Sequence, residues 1–317
     1  MELKNLHIII DSGDLGQIVN AHSYGIAFGT TLNPTHVASY SSKLKAEGKN
    51  FDMFEYGRSV LLNSRAAHTN APCPVSFEVI GTTEQEMVEQ GLRMYEKLSP
   101  YGTVWIKIPV NPSMDRDNPE SRDGLRAIER LSSRGIAVNC TLIHTPEQAL
   151  EAAEAGAKVV SPFIGRFDDY LREQMRIDFN REDHFPPDGM EHDGRRFNYN
   201  GIVSGVDLAR LTRMLLDEHN LRDAQVLAAS IRNYQQLEEV ACLTGADMAT
   251  LPFAIIEYMW KNKIASVPRN RKDESDPANT STYRFTERRL DHPKTLEGMI
   301  RFTQDGNSVP EYRELFA

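Results

Sequence analysis

The chain has 317 residues, of which 40% are hydrophobic, 8% aromatic and 26% charged, a composition that excludes a disordered or fibrous protein over most of its length. Its 36 Lys and Arg against 45 Asp and Glu give a net charge of −9, which repels polyphosphate and disfavours nucleic acid as a partner. No stretch approaches about 18 apolar residues, and the run Ile8–Ile10 is too short for a signal peptide. We therefore expect a cytoplasmic protein with no membrane contact. Three cysteines, an odd number, indicate free thiols.

Short apolar runs alternate with stretches of helical periodicity along nearly the whole chain, which predicts parallel strands joined by helices. Eight of the runs are typical of strands, and eight is the number of strands in a (β/α)8 TIM barrel. A barrel of about 250 residues leaves room in this chain for insertions. The predicted strands are Leu6–Asp11, Ile26–Thr31, Val75–Ile80, Thr103–Ile108, Ile136–Ile143, Lys158–Ser161, Gln225–Ala229 and Asp247–Leu251.

Helical periodicity between these runs predicts eight helices. Thr83 and Glu86 have capping-box spacing, and Thr145 precedes Pro146 at another helix start. A further helical pattern at Pro293–Gln304 predicts an extra C-terminal helix, which packs either across a barrel mouth or against a second copy of the chain in a homo-oligomer. The eight predicted helices are Leu15–Tyr24, Thr35–Glu47, Thr83–Leu98, Gly124–Arg134, Pro146–Ala155, Val206–His219, Tyr234–Thr244 and Pro252–Lys261.

Four stretches exceed a minimal barrel and are predicted to be insertions or linkers, at 48–73, 111–122, 167–203 and 265–290. We interpret the whole chain, 1–317, as one domain with the barrel over about 6–261 and a C-terminal extension over 262–317. The second and third stretches follow predicted strands, which places them at the rim where the loops of a barrel build active sites. The stretch 167–203 is predicted to be a cover without the periodicity of a core element, with a packing or subunit-contact loop as the alternative.

A lysine interrupts the fourth predicted strand. Alternation places Lys107 on the same face as Trp105, so its ammonium is expected to project into the barrel. Burying an unpaired charge is costly, and the usual relief is a neutral amine that can attack a carbonyl, as in Schiff-base lysines. The structural alternative is a lysine that reaches water at the strand end or pairs with an acidic residue.

Other polar residues interrupt or follow apolar strands, and parallel strands would bring them together at the carboxyl end of the barrel. Some also have a structural interpretation, Asp11 as a helix N-cap and Asn33 as a turn residue. Arg166, together with Ser230 and Arg232, predicts an anion site against a helix N-terminus. The polar strand residues are Asp11, Asn33, Glu78, Asn139, Thr141 and Ser161.

Six of these strand-end segments closely resemble those of the transaldolases and the related fructose-6-phosphate aldolases. The resemblance spans roughly residues 6–260 and recurs along the strands in order. It implies an α/β barrel of the class I aldolase type, with the Schiff-base lysine on the fourth strand, where Lys107 lies. The segments are Gly29-Thr-Thr-Leu-Asn-Pro34, Ser76-Phe-Glu-Val-Ile80, Trp105-Ile-Lys-Ile-Pro109, Val138-Asn-Cys-Thr-Leu142, Ser161-Pro-Phe-Ile-Gly-Arg166 and Leu227-Ala-Ala-Ser-Ile-Arg-Asn233.

The resemblance also implies roles for individual residues. Lys107 would form the imine with a ketose phosphate, and Asp11 would take the proton of the C4 hydroxyl as the C3–C4 bond breaks. Glu78 and Thr141 would hold a catalytic water that carries protons. No metal and no organic cofactor is required. The residues implied to bind the sugar phosphate are Thr31, Asn33, Asn139, Ser161, Phe163, Arg166, Ser230 and Arg232, the last three of them as a phosphate cradle.

Two positions bear on the choice between the branches that the resemblance joins. The aldolase branch typically has Gln at the position of Glu78 and Tyr at that of Phe163, so both residues indicate a transaldolase. Leu32, where a second Thr is more common, and the long stretch 167–203 depart from the pattern. We predict a transaldolase. An aldolase that releases free dihydroxyacetone and a non-catalytic sugar-phosphate binding barrel are the alternatives.

The remaining motifs carry less chemistry. Glu182-Asp-His184 and Glu191-His-Asp193 mix hard and soft ligands without a recognised metal spacing, which favours a solvated loop. His144 follows the fifth strand, and a hydrogen-bonded structural histidine is favoured over one that borders the pocket. The sequence has no Gly-rich dinucleotide fingerprint and no phosphate-binding P-loop, which disfavours nicotinamide and nucleotide chemistry.

Overall fold

The computed structural model describes residues 5–66, 73–269, 283–285 and 288–314, and it contains a closed barrel of eight parallel strands. The barrel strands are β1 (His7–Asp11), β2 (Ala27–Thr31), β3 (Pro74–Glu78), β4 (Thr103–Pro109), β5 (Val138–Ile143), β6 (Val159–Pro162), β9 (Gln225–Ala228) and β10 (Met248–Leu251). They pair in chain order, and β10 closes the ring against β1. The short strands β7 (Glu191–His192) and β8 (Arg195–Arg196) form a separate antiparallel hairpin. The predicted TIM barrel is confirmed, and each predicted strand is present.

Helices follow the barrel strands and pack around them. The predicted capping box of Thr83 and Glu86 is formed, and Thr145 caps its helix together with Gln148. Within the described part of the chain, no helix combines the length and apolar character that crossing a bilayer requires. The helices are α1 (Leu15–Ser23), α2 (Pro34–Ala46), α3 (Met53–Ala66), α4 (Glu84–Leu98), α5 (Asp123–Ser132), α6 (Pro146–Glu154), α7 (Ile164–Met175), α8 (Gly205–Glu218), α9 (Tyr234–Leu243), α10 (Phe253–Lys261), α11 (Pro293–Asn307) and α12 (Pro310–Glu314).

The stretch 48–73, predicted to be an insertion or linker, contains α3, a second helix between β2 and β3 that the sequence pattern did not predict. The buried residues of α3 recur at the spacing of one helical face. The face includes two small residues, which weakens its apolar pattern in the sequence. Its buried residues are Met53, Tyr56, Gly57, Val60, Leu61 and Ser64.

The stretch 167–203 also differs from its prediction. Its first nine residues, 167–175, belong to α7, which has an apolar face and is therefore a core element. Phe167, Leu171 and Met175 of this face pack against Phe185 and against residues of α8 in a second hydrophobic cluster. Only the remainder, with the small β7–β8 hairpin, is an insertion. The stretch 111–122 contains no helix or strand, in line with its prediction.

The predicted extra C-terminal helix is present as α11, and it lies across the carboxyl end of the barrel rather than away from it. It contacts α2, the end of β5 and α7. The short helix α12 follows and packs against α3. Residues 270–282 and 286–287 of the predicted linker 265–290 lie outside the described residues.

The barrel interior has an apolar layer beneath a polar one. A cluster of five buried side chains fills the lower layer, to which each of five strands contributes one residue. Two residues further along the same strands, side chains of the same face stand at the carboxyl end. On β1, β4 and β6 these are polar, Asp11, Lys107 and Ser161. The lower layer consists of Ile9, Trp105, Val159, Leu227 and Met248.

Candidate active site

Lys107 projects into the barrel, as predicted, and its ammonium pairs with a carboxylate of the adjacent strand. Glu78 of β3 is in register with Lys107 of β4, and Lys107 Nζ lies 3.0 Å from Glu78 Oε2. Only 6% of the Lys107 side chain and 2% of the Glu78 side chain are exposed. Of the structural alternative, the lysine that reaches water at the strand end is not observed, whereas the pairing with an acidic residue is.

Glu78 is held in an environment suited to proton transfer. Burial raises the pKa of its carboxyl, and the neighbouring Lys107 ammonium opposes that rise. Behind it, Tyr312 Oη of α12 donates a hydrogen bond to the Glu78 backbone carbonyl. A carboxyl with a raised pKa is a better proton donor at neutral pH than an exposed glutamate, and this one lies beside an amine.

A row of hydrogen-bonded polar groups crosses the interior beside the lysine. Asn139 of β5 is in register with Lys107, and its Nδ2 donates to Ser76 Oγ at 3.2 Å. Ser161 Oγ donates to Asn139 Oδ1 at 2.7 Å, so both ends of the amide are fixed. Thr141, on the same face as Asn139, has a buried Oγ1 with no hydrogen-bond partner among the described residues. This hydroxyl is available to a water or a substrate oxygen.

Asp11 and Thr31 are partners in register at the carboxyl ends of β1 and β2. The Asp11 side chain is 28% exposed, and Thr31 Oγ1 is buried without a hydrogen-bond partner in the described part of the chain. The interpretation of Asp11 as a helix cap is wrong, because the N-cap of α1 is Asp14. Asn33 does cap a helix, since its Oδ1 accepts from the backbone N–H of His36 in α2.

Arg166 is a half-buried cation between two aromatic rings. Its Cζ lies 5.0 Å from the ring centre of Phe163 and 5.0 Å from that of Phe302. No carboxylate of the described residues forms an ion pair with it. Burial lowers its pKa to about 10, which leaves the guanidinium charged at neutral pH. An unpaired, half-buried charge of this kind is expected to have a ligand of opposite charge.

The loop after β9 brings Ser230 and Arg232 to the start of α7, where Arg166 lies. Ser230 has a φ of +65°, a conformation that costs a non-glycine residue free energy and is typical of functional loops. Its carbonyl accepts from the Gly165 N–H at 3.1 Å, and a side chain at Gly165 would collide with this carbonyl and with Arg232. Arg232 Nη2 lies 3.0 Å from Asp169 Oδ2, so this arginine, unlike Arg166, has a counter-ion.

The helix α11 completes the site from above, which is one of the two placements that the sequence left open. Phe302 covers Arg166, and a Cβ at Gly298 would lie 2.6 Å from a Leu142 methyl and 3.0 Å from Arg166 Nη1. The positive charge of Arg301 helps to lower the pKa of Arg166, so the two guanidinium groups are close enough to repel each other. These residues lie in α11, the first helix after the last barrel helix α10, and they belong to no sequence motif.

His144 is a hydrogen-bonded structural residue, as favoured, rather than one that lines the pocket. It is fully buried, and its Nδ1 lies 3.0 Å from Thr295 Oγ1 of α11. Its ring stacks on Phe163 on one side and on His292 on the other. Through this stack, the end of β5 holds the start of α11.

The two acidic and histidine-containing segments of the rim do not form a ligand cluster within the described residues. His184 Nε2 instead lies 2.7 Å from Glu239 Oε1 of α9. His192 of the small hairpin lies 3.6 Å from Asp193 Oδ2, and the latter is almost fully exposed. Both segments therefore serve the surface of the rim.

The assembled site offers an amine beside a carboxyl, a second carboxylate opposite, fixed amide and hydroxyl groups, and a cationic end. The amine can add to a carbonyl carbon, and the carboxyl groups can move protons around it. The half-buried Arg166 can hold an anion at one end of an extended substrate. The groups are thus placed to act on a carbonyl group at one end of an extended molecule and on an anion at its other end.

Comparison with known proteins gives one family over nearly the whole chain. The family described as "Transaldolase/Fructose-6-phosphate aldolase" matches residues 8–311. A probable transaldolase of Desulfatibacillum aliphaticivorans is 31% identical over 255 residues, which cover 80% of this chain and 90% of that protein. Probable transaldolases of Sulfurihydrogenibium sp. (strain YO3AOP1) and Thermoplasma acidophilum are 29% and 30% identical, and each alignment covers 96% of this chain. The first alignment covers 99% of the Sulfurihydrogenibium protein, and the second covers 96% of the Thermoplasma acidophilum protein.

Proposed function

Because the chain belongs to the transaldolase/fructose-6-phosphate aldolase family, we propose that it is a transaldolase that works through an imine on Lys107. It would cleave a ketose phosphate, keep the three-carbon dihydroxyacetone unit on the lysine, and pass it to an aldose phosphate. The observation that carries this proposal is the buried pair of Lys107 and Glu78 within a polar layer of the barrel. A buried amine beside a carboxyl is what imine chemistry requires.

The reaction follows from the placement of the groups. Glu78 takes a proton from the Lys107 ammonium, and the free amine adds to the ketone carbon. Glu78 then returns this proton to the former ketone oxygen, which leaves as water and gives the protonated imine. Asp11 takes the proton of the C4 hydroxyl, and the C3–C4 electrons move into the imine as the bond breaks. The aldehyde fragment leaves, and the remaining enamine attacks the acceptor aldehyde through the reverse steps. Addition of water to the final imine frees the product and the amine.

Substrate contacts are proposed for the groups around this centre. The Asn139 amide and the Ser161, Thr31 and Thr141 hydroxyls line the path between the lysine and the rim, and Asn33 lies beside it. Arg166 would bind the phosphate group, because its charge has no protein partner among the described residues. The aromatic ring of Phe163 fixes that guanidinium and limits the width of the site at its phosphate end.

The proposal includes transfer of the dihydroxyacetone unit to an acceptor rather than its release into solution. It is supported by Glu78 and Phe163, the residues at the two positions where the aldolase branch typically has Gln and Tyr. The alternative is an aldolase that frees dihydroxyacetone. Incubation with fructose 6-phosphate, with and without erythrose 4-phosphate, separates the two. We expect free dihydroxyacetone to form much more slowly without acceptor than the transfer product forms with it.

Reduction with borohydride during turnover tests the mechanism directly. Fructose 6-phosphate and borohydride should leave a stable secondary amine on Lys107, located by peptide mass mapping. Lys158, at the opposite end of a barrel strand and exposed, is the matched control position. An adduct on another lysine, or turnover without any adduct, would show that the mechanism is wrong and would favour a different chemistry. Absence of both adduct and turnover with ketose phosphates would favour the non-catalytic alternative.

We also propose that the protein is cytoplasmic and uses sugar phosphates alone as partners in the reaction. Its net charge of −9 disfavours nucleic acid as a partner. Assembly into a homo-oligomer stays a prediction, and sedimentation at several protein concentrations would test it. A single domain over 1–317 is likewise proposed, and one cooperative unfolding transition is expected from it.

A further inference from the structure

His36 is a histidine of the site that none of the sequence motifs included. It lies in the first turn of α2, three residues after the N-cap Asn33. Its Nδ1 lies 3.5 Å from Asp11 Oδ1, and this nitrogen is buried without any hydrogen-bond partner among the described residues. About a quarter of its side chain is exposed. A buried ring nitrogen of this kind calls for an explanation.

Asn33 determines which nitrogen of His36 carries the proton. Asn33 Oδ1 accepts from the His36 backbone N–H at 2.9 Å, so the other end of this amide, Nδ2, is a donor. Nδ2 lies 3.5 Å from His36 Nε2, which must therefore be the acceptor. In the neutral ring, the proton then belongs to Nδ1, and it faces the Asp11 carboxylate.

The ring is kept neutral by its surroundings. Burial lowers the pKa of His36, the Asp11 carboxylate opposes this, and the charges of Lys107, Arg166 and Arg301 lower it further. At neutral pH the imidazole therefore turns an N–H toward the Asp11 carboxylate, 3.5 Å away, and is not a second cation. It can orient the carboxylate without neutralising it.

We propose that His36 is a positioning residue that holds the Asp11 carboxylate in the orientation needed to take the C4 hydroxyl proton. The proposal rests on the proposed function, because it assumes that Asp11 is the base. In the observed arrangement His36 Nδ1 faces Oδ1, which leaves Oδ2 for the substrate. The chain Asn33, His36, Asp11 thus connects the cap of α2 to the end of β1.

Two substitutions at this position separate orientation from packing. His36→Leu keeps a side chain of similar size but removes the donor. His36→Asn puts an amide nitrogen close to the position of Nδ1 and restores a donor toward Asp11. The measured quantities are the single-turnover rate of aldehyde release from fructose 6-phosphate and the amount of borohydride-trapped Lys107 adduct.

We expect His36→Leu to lower the rate of aldehyde release about tenfold, the usual effect of losing one hydrogen bond to a charged group at less than ideal distance. The trapped adduct should stay at its normal amount, since imine formation does not use Asp11. His36→Asn should recover most of the rate. An unchanged rate in His36→Leu, or a loss that His36→Asn does not repair, would overturn the proposal.

The Asp11→Asn background decides whether His36 acts through Asp11. If it does, adding His36→Leu to Asp11→Asn should change the residual rate by less than about twofold. A full further tenfold loss would show instead that His36 contacts the substrate itself, which overturns the positioning role. If the unaltered enzyme forms no adduct on Lys107, the proposed function is wrong. If it forms the adduct but His36→Leu does not change the rate of aldehyde release, only this inference is wrong.

Discussion

Two cations of the site, the buried Lys107 and the half-buried Arg166, have different surroundings, and the difference indicates different tasks. Lys107 has a carboxylate 3.0 Å away, which compensates its charge until the amine reacts. Arg166 is held by two aromatic rings, and no carboxylate of the described residues pairs with it. Ring faces attract a cation but leave its N–H donors unused. Those donors suit the oxygens of a phosphate group.

Replacement of Arg166 by Met should therefore act on phosphorylated substrates alone. Charge-assisted contacts to a dianion are each worth about 1.5 to 3 kcal/mol, so KM for fructose 6-phosphate should rise about ten- to hundredfold. Steady-state kinetics with fructose 6-phosphate and with fructose would measure the contrast, and the fructose parameters should change less than twofold.

Arg130→Met is the matched control, because Arg130 is an exposed arginine of α5 that pairs with Glu84. It should leave both substrates unaffected. Equal losses for fructose and fructose 6-phosphate in Arg166→Met would instead assign Arg166 to the support of α7 and α11.

Individual residues were predictable to different degrees. Lys107 was identifiable because a charge in an apolar strand is rare and the strand period fixes the face on which it lies. Asp11, Glu78 and Asn139 were identifiable in the same way. His36, Gly298 and Arg301 come from helices, and the sequence does not specify how a helix is placed over a strand end. Their role in the site is visible only once α2 and α11 are packed.

At the scale of elements, α11 is attached to the barrel through a stack of neutral histidines. His292, the N-cap of α11, accepts from the Lys294 N–H and stacks on His144. Tyr170 and Tyr199 of the α7 region pack edge-on against the ring of His292. Burial lowers the pKa of His292 to about 3 and that of His144 well below its usual value. The folded form therefore excludes the charged state of both rings.

Acid should consequently loosen α11. Both histidines bind a proton below about pH 6.5 in the unfolded chain but not in the folded one, so stability is lost as the pH falls from about 6.5 toward 3. His292→Asn keeps a capping side chain but cannot be protonated, and its loss of stability over this range should be smaller by about 1 to 3 kcal/mol. Denaturant unfolding at pH 7 and pH 5 would measure the difference. Identical pH dependence of the two proteins would contradict this account.

The segment after α7 shows what periodicity does and does not reveal. Phe167, Leu171 and Met175 are four residues apart, but the aromatic and charged residues between them hide the face in the sequence. The segment that follows is held by Phe185 and Ile202 in the same cluster. We still predict that this segment shapes the choice of acceptor. A variant in which 191–196 is replaced by a short Gly-Ser link, which spares that cluster, would test it through its acceptor profile.

For the whole molecule, the barrel architecture was more predictable than the way in which the C-terminal extension packs against it. Eight strands in register need only local alternation, and the closed barrel follows from their number. The placement of the C-terminal extension depends on contacts between distant segments, such as Gln148 Nε2 donating to the Leu290 carbonyl at 2.5 Å. Such contacts leave no local pattern in the sequence.

The pH dependence of global stability should contain a second contribution, of opposite sign. Asp168 is fully buried, and burial raises its pKa to about 8. The folded chain therefore holds a proton that the unfolded chain has released, and stability falls as the pH rises from about 4 to about 8. Asp168→Asn removes this dependence. Between pH 6 and pH 8 the stability difference should move in favour of the variant by about 2 kcal/mol.

Equilibrium unfolding of both proteins at the two pH values would check this. Asp168 accepts from the Gly205 N–H and from Gln236 Nε2, and the variant keeps only one good acceptor. The variant can therefore be less stable at both pH values. The test of Asp168 is whether the difference in unfolding free energy between the two proteins changes from pH 6 to pH 8. If this difference stays the same, the Asp168 carboxyl is ionised in the folded protein.

The hydrogen bond from Tyr312 to the Glu78 carbonyl joins residues 234 positions apart. During synthesis, the lysine and both carboxylates emerge long before α11 and α12, which bring Phe302 over Arg166 and Tyr312 behind Glu78. Chains fold from the N-terminus as they leave the ribosome. A nascent barrel can thus close its strands before Phe302 lies over Arg166 and before Tyr312 supports Glu78.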